Sequence, residues 1–244
     1  MIRGVVFDLG SVLIRVAGDR IQARQEAYAR LAHTLAEAGS LPDSAPFLPS
    51  FERRMAEYER QRSEDFLEYS TEWVLGETFR EFGWPVPASE VRRQSLRSMY
   101  EVYEAAWVPV EGAREVVDQL RAEGIRLGLL SNAADPENAR RLIRIGGYEG
   151  CFDPVLISSV IGIRKPNPRA FRLILDQWRL EPGQTAMVGD QLGADILGAQ
   201  FAGMHNIWYA VDPLDPSNLA HAGTVTPEVT IQRLEQVREV IRGM

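Results

Sequence analysis

A doubly wound α/β core carrying one long helical insert is the fold class this sequence predicts, and three observations predict it. Short apolar runs recur at residues 4–7, 125–130, 154–157, 185–188 and 204–210, and the first four stop at Asp8, Ser131, Ser158 and Gly189-Asp190. Runs that are apolar throughout, rather than alternating, suit strands buried on both faces of a parallel sheet. The segments between the later runs carry helical spacing, and strands alternating with helices wind into a sheet covered on both sides. Residues 15–105, by contrast, hold no convincing strand run and are rich in helix formers.

Residues 4–7 lead directly into Asp8 and read as the first strand. A helix over 19–38 follows, with Ile21, Tyr28, Leu31 and Leu35 on one face, then a Pro- and Ser-containing loop over 40–50. Further helices are expected over 51–62, 64–82 and 89–106. The next, over 111–123, carries Val116, Val117 and Leu120 and stops at Gly124, a natural place for the glycine that ends a helix. Asp135 and Asn167 are N-caps for helices over 136–145 and 168–178, each starting with proline. The expected organisation is a core of residues 1–14 and 106–244 with a helical cap of 15–105. Since the insert departs after the first strand and returns before the second, it should lie over the strand ends as a lid. Ligands of doubly wound sheets bind beyond those carboxyl ends, which Asp8, Ser131 and Asp190 occupy.

Hydrophobic residues make up 45% of the 244-residue chain and charged residues 25%, which provides for a sizeable core and excludes a mostly disordered chain. A formal charge of −7 leaves no basic stripe for nucleic acid, so no nucleic-acid partner is expected. The chain reaches Asp8 before a signal-length apolar region forms, and no stretch approaches the ~20 apolar residues of a membrane span. The expectation is a cytoplasmic protein without a membrane partner, either monomer or homodimer. Cys151 is the only cysteine, which excludes an intramolecular disulfide and a cysteine-based metal site and leaves it to pack as a small apolar residue.

Of 27 basic residues, 26 are arginine and one, Lys165, is lysine. Arginine is a forked cation and lysine a compact one, so a chain that uses arginine elsewhere should need a point charge here. Lys165 also precedes the helix start Pro166-Asn167-Pro168. Together with Asp8, Ser131, Asp190 and Asp195 it reads as a phosphate-handling site. The Asp8 carboxylate can act as nucleophile and split one displacement into two easier steps. An anion attacking an anion needs positive charge nearby, which Lys165 and the helix N-terminus near Pro168 supply. Ser131 and Asn132, with Gly10 and Ser11, are expected around the phosphoryl oxygens. Three acidic groups in one pocket repel unless a cation intervenes, and Mg2+ prefers such oxygen ligands. Asp8, the Gly10 carbonyl and Asp190 are expected to hold it, and Asp195 either binds it through water or orients Asp190 and Lys165. His33, His205 and His221 stand away from these motifs in the sequence, which disfavours zinc.

The ordered set resembles the haloacid dehalogenase-like hydrolases. Phe7-Asp8-Leu9-Gly10-Ser11-Val12-Leu13 is similar to their first motif, Leu129-Leu130-Ser131-Asn132 to the second, Arg164-Lys165-Pro166 to the third, and Gly189-Asp190-Gln191-Leu192-Gly193-Ala194-Asp195 to the fourth. Gly198-Ala199 and Ala202-Gly203-Met204 resemble the stretch that succeeds the fourth motif in that family. The resemblance implies a Rossmann-like core with a helical cap after the first motif. It also implies Asp8 as nucleophile, Ser131 on phosphate, Lys165 as charge stabiliser, and Asp190 and Asp195 at Mg2+. Phosphatases of this family usually carry a second aspartate two residues after the nucleophile as general acid and base, and here that position is Gly10. A phosphatase of a small phosphorylated metabolite is the leading expectation, with 2-haloacid hydrolysis or a non-catalytic phosphate binder as the alternatives that Gly10 raises. Arg15, Arg20, Arg24, Tyr28, Trp73 and Tyr103 are candidate specificity residues of the cap.

Overall fold

The computed structural model describes residues 1–244, the side chain of Ser63 excepted. Strand β1 (Gly4–Phe7) opens the core and β2 (Ile14–Val16) follows after a loop. Four helices come next: α1 (Arg20–Glu37), α2 (Ser44–Asp65), α3 (Thr71–Glu81) and α4 (Ser89–Glu104). The chain continues through β3 (Trp107–Pro109), α5 (Ala113–Ala122), β4 (Arg126–Ser131), α6 (Pro136–Ile145), β5 (Val155–Ile157) and the single turn α7 (Ser158–Ile161). It ends with α8 (Pro168–Trp178), β6 (Thr185–Gly189), α9 (Leu197–Ala202), β7 (His205–Tyr209), α10 (Pro216–Leu219), β8 (Val229–Ile231) and α11 (Gln236–Gly243).

Six strands form one parallel sheet in the order β5-β4-β1-β6-β7-β8, so the chain winds outward from β1 in both directions. All of β1 is buried, and its side chains alternate between two apolar layers. Val5 and Phe7 pack with Leu127, Leu129 and Val188 beneath α5 and α11, while Val6 packs with Leu130 and Met187 beneath α8 and α9. Burying each such side chain contributes roughly 1.5–3 kcal/mol, which is why these strands read as continuous apolar runs. Phe7 lies level with Leu129 on one side and Val188 on the other. That register brings Asp8, Ser131 and Asp190, all just beyond these residues, to the same edge.

Helices α1 to α4 enclose a third apolar layer of their own, centred on Leu31, Leu35, Phe47, Phe51, Leu75, Phe79 and Met99. Two boundaries differ from the sequence reading. Residues 44–50 are helical rather than loop, because Asp43 caps α2 through the Ala45 amide and the fully buried Phe47 anchors the first turns. Pro49 lies inside α2, where losing one backbone hydrogen bond is outweighed by burial of the phenylalanines on either side. Nor does α2 break near residue 63; it runs to Asp65 and stops where Phe66 turns left-handed at φ 56°.

Three short strands escaped the sequence reading. Strands β2 and β3 pair antiparallel, Val16 opposite Trp107, where the chain leaves and re-enters the core, so Arg15 and Val16 are strand residues rather than the start of the helical segment. Strand β8 closes one edge of the sheet. At three residues each, these segments are too short to show a period. No helix among the described residues is long and apolar enough to cross a membrane.

Trp178 sets how closely α8 approaches the sheet. Its indole N–H donates to the Asp153 carbonyl at 2.7 Å, and its ring lies over Gly4 and Gly128. A Cβ built on Gly4 would stand 2.6 Å from that ring and one on Gly128 2.9 Å. Gly4→Ala and Gly128→Ala should each destabilise the fold by ~1–3 kcal/mol through overpacking, measured by urea denaturation. Wild-type midpoints would show that the ring moves aside freely.

Candidate active site

The site is assembled at the carboxyl edge of β1, β4 and β6. The Asp8 amide donates to the Val188 carbonyl at 3.0 Å, extending the β1–β6 pairing one residue and fixing the backbone that carries the carboxylate. Lys165, only 3% exposed, places Nζ 2.5 Å from Asp8 Oδ1 and 2.7 Å from Asp195 Oδ1. Asn132 lines the cavity, and its carboxamide grips the Lys165 backbone from both sides. Nδ2 donates to the Lys165 carbonyl at 3.0 Å and Oδ1 accepts from the Lys165 amide at 2.9 Å.

Asp195 stands in a π-helical turn at Leu192–Ile196, and its second oxygen accepts from the Gln191 amide at 2.9 Å. Its side chain covers Gly189 so closely that a Cβ there would lie 2.2 Å from the Asp195 Cγ, so only glycine fits. Asp190 is tied through its main chain: its carbonyl accepts from Trp208 Nε1 at 2.9 Å and from Asn218 Nδ2 at 3.1 Å. The Asp190 Oδ1 atom is buried without a hydrogen-bond partner. Asn218, 2% exposed, also accepts from the Leu192 amide and was not foreseen. It sits past a helix start, Asp215-Pro216, which gives no hint that it reaches back across 28 residues.

The charges are strongly displaced from their ordinary values. Burial pushes Asp8 up to about 6, with Lys165 pulling it down and Asp195 pushing it further up. Burial, reinforced by Asp8 and Asp195, pushes Asp190 up to about 8. Burial opposes the Lys165 ammonium, but Asp195 and Asp8 outweigh it and hold its pKa above the usual lysine value. Asp8, Asp190 and Asp195 each bring one oxygen within 4.8 Å of the others. Crowded carboxylates with one oxygen unpartnered fit a hard, oxygen-binding divalent cation such as Mg2+.

A cavity of about 430 Å³ opens from Asp8, Ser131 and Lys165. Ser131 is buried at the end of β4, and Gly10 and Ser11 line the same space. A Cβ on Gly10 would meet only ordinary contacts, 3.8 Å from Asp8 Oδ2 and 3.9 Å from Trp107, so sterics do not demand glycine there. Of the candidate specificity residues, Arg20 and Tyr103 line the cavity. Tyr28 is buried among the helices, Trp73 stacks on Tyr69 at the surface, and Arg15 and Arg24 are exposed. His221 differs from the sequence reading: it packs on Gly193, inside the fourth motif, although it does not belong to the carboxylate cluster. Cys151 is buried in the core beneath the sheet.

A second unforeseen feature ties the helical layer to this site. Glu68, with its side chain fully buried, accepts from Ser158 Oγ at 2.7 Å and from Tyr58, and pairs with Arg62 and Arg164. Ser158 in turn accepts from the Ala133 amide, and the Glu68 amide donates to the Gly162 carbonyl. The loop carrying Lys165 is therefore stitched to residues 66–68.

Sheet and pocket define the class as a doubly wound α/β protein with a carboxylate-lined pocket at the carboxyl edge of its sheet. A family profile described as haloacid dehalogenase-like hydrolase matches residues 2–203. Phosphoserine phosphatase of Thermus thermophilus is 30% identical across 96% of this chain and 90% of its own. The crystal structure of a 2-haloacid dehalogenase from Pseudomonas syringae pv. Tomato superposes with a TM-score of 0.68 at 25% identity, covering 100% of this chain and 99% of the other. Glyceraldehyde 3-phosphate phosphatase of Pyrococcus abyssi is 34% identical over 41% of this chain, and the match spans only 42% of that relative's length. The chain belongs to the haloacid dehalogenase-like hydrolases.

Because burial lifts Asp190 from 3.8 to about 8, between those values the folded state keeps a proton that the unfolded state has released. Stability contributed by that protonated group is present in acid and is lost as pH rises through the window. Without divalent cations, Asp190→Asn should melt above the wild type at about pH 8.5, with the gap closing toward about pH 5. Thermal melts across pH test this, and a pH-independent gap would contradict it.

Proposed function

We propose that the protein is a Mg2+-dependent phosphatase of a small phosphorylated metabolite, working through a phosphoryl-aspartyl intermediate on Asp8. The observation that carries this reading is the buried Lys165 ammonium bridging the Asp8 and Asp195 carboxylates beside the unpartnered Asp190 oxygen. The full-length similarity to a named phosphatase supports it.

In the first step an Asp8 carboxylate oxygen attacks phosphorus and the ester P–O bond breaks, releasing the alcohol oxygen as an anion. Water then attacks the phosphoryl-aspartate, and inorganic phosphate leaves as the carboxylate is restored. Lys165 and the Ser131 hydroxyl face the phosphoryl oxygens, and the ammonium offsets the charge of bringing an anion to an anion. Asp195 and Asn132 position Lys165, the first through its ammonium and the second through its backbone. Gly10 and Ser11 complete the phosphoryl cradle from the main chain. Asp8, the Gly10 carbonyl and Asp190 would hold the divalent ion, with Asp195 adjoining, and the ion when bound neutralises phosphoryl charge. Residues 15–105, with helices α1 to α4, serve as a cap over the strand ends, and the Glu68 contacts join it to the Lys165 loop.

Hydrolysis of a 2-haloacid is a second reading, favoured by Gly10 and by the similarity to the Pseudomonas enzyme. It gives the three-carboxylate cluster nothing to do, since displacement at carbon has no phosphate charge to neutralise.

Purified protein with Mg2+ should release phosphate from a panel of phosphorylated metabolites and lose this on chelation. Asp8→Asn should lower turnover by on the order of 10⁶-fold, and Lys165→Met by ~10²–10³-fold in kcat. Phosphate release that survives Asp8→Asn would remove the nucleophile assignment, and halide release from 2-chloropropionate without metal would install the second reading.

A further inference from the structure

We infer that the leaving group of the substrate is an aromatic ring bearing a weakly basic oxygen, so that the natural substrate is an aryl phosphate rather than the phosphate of an alkyl alcohol or amino acid. The inference rests on the phosphatase reading above and deepens it. Two independent observations carry it.

The first is the lack of a proton donor where the departing oxygen needs one. An alkyl alkoxide is a strong base and leaves slowly unless an acid protonates it as the P–O bond breaks, a contribution of ~10²–10⁴-fold in rate. Gly10 has no side chain to give that proton. Nor does its backbone compel glycine, because a Cβ there would meet nothing nearer than 3.8 Å. Asp190 would be ionised by the divalent ion it would hold, Asp195 pairs with Lys165 at 2.7 Å, and the remaining acidic groups of the cavity are poor donors. The Tyr100 hydroxyl is hydrogen-bonded to Thr71 Oγ1 at 2.7 Å, burial raises the Tyr103 phenol far above its usual value, and Asp135 caps α6 through the Asn138 amide at 2.7 Å. A phenolate needs no such donor, since it departs as the anion with the bond electrons on an oxygen the ring stabilises.

The second is the shape and chemistry of the space beyond the phosphoryl cradle. A cavity of about 430 Å³ is larger than a phosphoryl group needs and falls within the ~300–1,000 Å³ typical of small-molecule pockets. Ile14, Val16, Tyr100, Tyr103, Trp107 and Leu142 give its lining a large apolar and aromatic share, beside the polar Arg20, Asp135 and Asn138. The Trp107 ring reaches to 3.9 Å from where a Cβ on Gly10 would stand, so an aromatic edge borders the position a second acid would occupy. Aromatic side chains prefer to stack on or abut another ring. A zwitterionic leaving group would need a carboxylate for its ammonium, and Asp135, the lining acid outside the Asp8–Lys165–Asp195 cluster, already accepts from its own helix.

The test is a leaving-group series with the full chain and Mg2+. Substituted phenyl phosphates and 1-naphthyl phosphate are compared with glycerol phosphate and O-phosphoserine, reading kcat, KM and the slope of log kcat against leaving-group acidity. The expected result is a steep slope, with the alkyl esters at least ~10²-fold below phenyl phosphate in kcat/KM. Gly10→Asp should flatten the slope and raise turnover of the alkyl esters. Trp107→Ala should raise KM for 1-naphthyl phosphate roughly 3- to 10-fold while kcat changes little. Alkyl esters turned over as efficiently as aryl esters on a shallow slope would overturn this inference and leave the phosphatase reading standing. No phosphate release from any ester would overturn both. Should Gly10→Asp not fold, the wild-type slope alone decides.

Discussion

Everything at the carboxyl edge of this sheet depends on one buried ammonium held between two carboxylates. Taking the Lys165 charge out of water costs several kcal/mol, and two acids at hydrogen-bonding distance, with a clamped backbone, are what make burial tolerable. The parts are mutually dependent. Asp195 reaches Lys165 only because Gly189 has no Cβ, and Asp8 reaches it only because β1 and β6 are in register. An error of one residue in either would turn a carboxylate into the core or leave the ammonium unpaired.

Beside this ion pair stands a neighbour with no cation of its own. Asp190 has its main chain pinned by Trp208 and Asn218 and one carboxylate oxygen left alone. Strong positioning of a group whose charge is disfavoured is a feature shared by binding sites and perturbed titratable groups. The same contrast recurs in the cavity lining, where Asp8, Lys165 and Asp195 stand with apolar and aromatic side chains such as Ile14, Tyr103 and Trp107.

The helical layer is joined to the core by more than its two chain crossings. Buried Glu68 and Ser158 and the part-buried Arg164 bind residues 66–68 to the strand-like segment that ends at Lys165, and Thr71 donates from its amide to the Ala134 carbonyl just past Asn132. Movement of these helices would therefore be felt by the residues that hold the ammonium. A charge network of this kind specifies one arrangement of the two layers more than it adds stability, because each buried ion must first be desolvated.

Residue order alone determined the sheet strands long enough to be apolar throughout and the N-caps Asp135 and Asn167, and it pointed to the convergence of Asp8, Ser131, Lys165, Asp190 and Asp195 at one edge of the sheet. These are written in local terms: an apolar run, a polar residue at its end, a single lysine among arginines. The extent of α2 and the strands β2, β3 and β8 were not legible, because burial of Phe47 and pairing between short distant segments outvoted local preference. Nor were the roles of Asn132, Glu68, Asn218 and His221. Only the tertiary structure decided those, since a hydrogen bond such as that from Asn218 to the Asp190 carbonyl joins residues far apart in the chain and leaves no periodic trace in it. The same holds for the aromatic wall of the cavity, which draws on α4 and β3 and exists only once the helices lie over the strand ends.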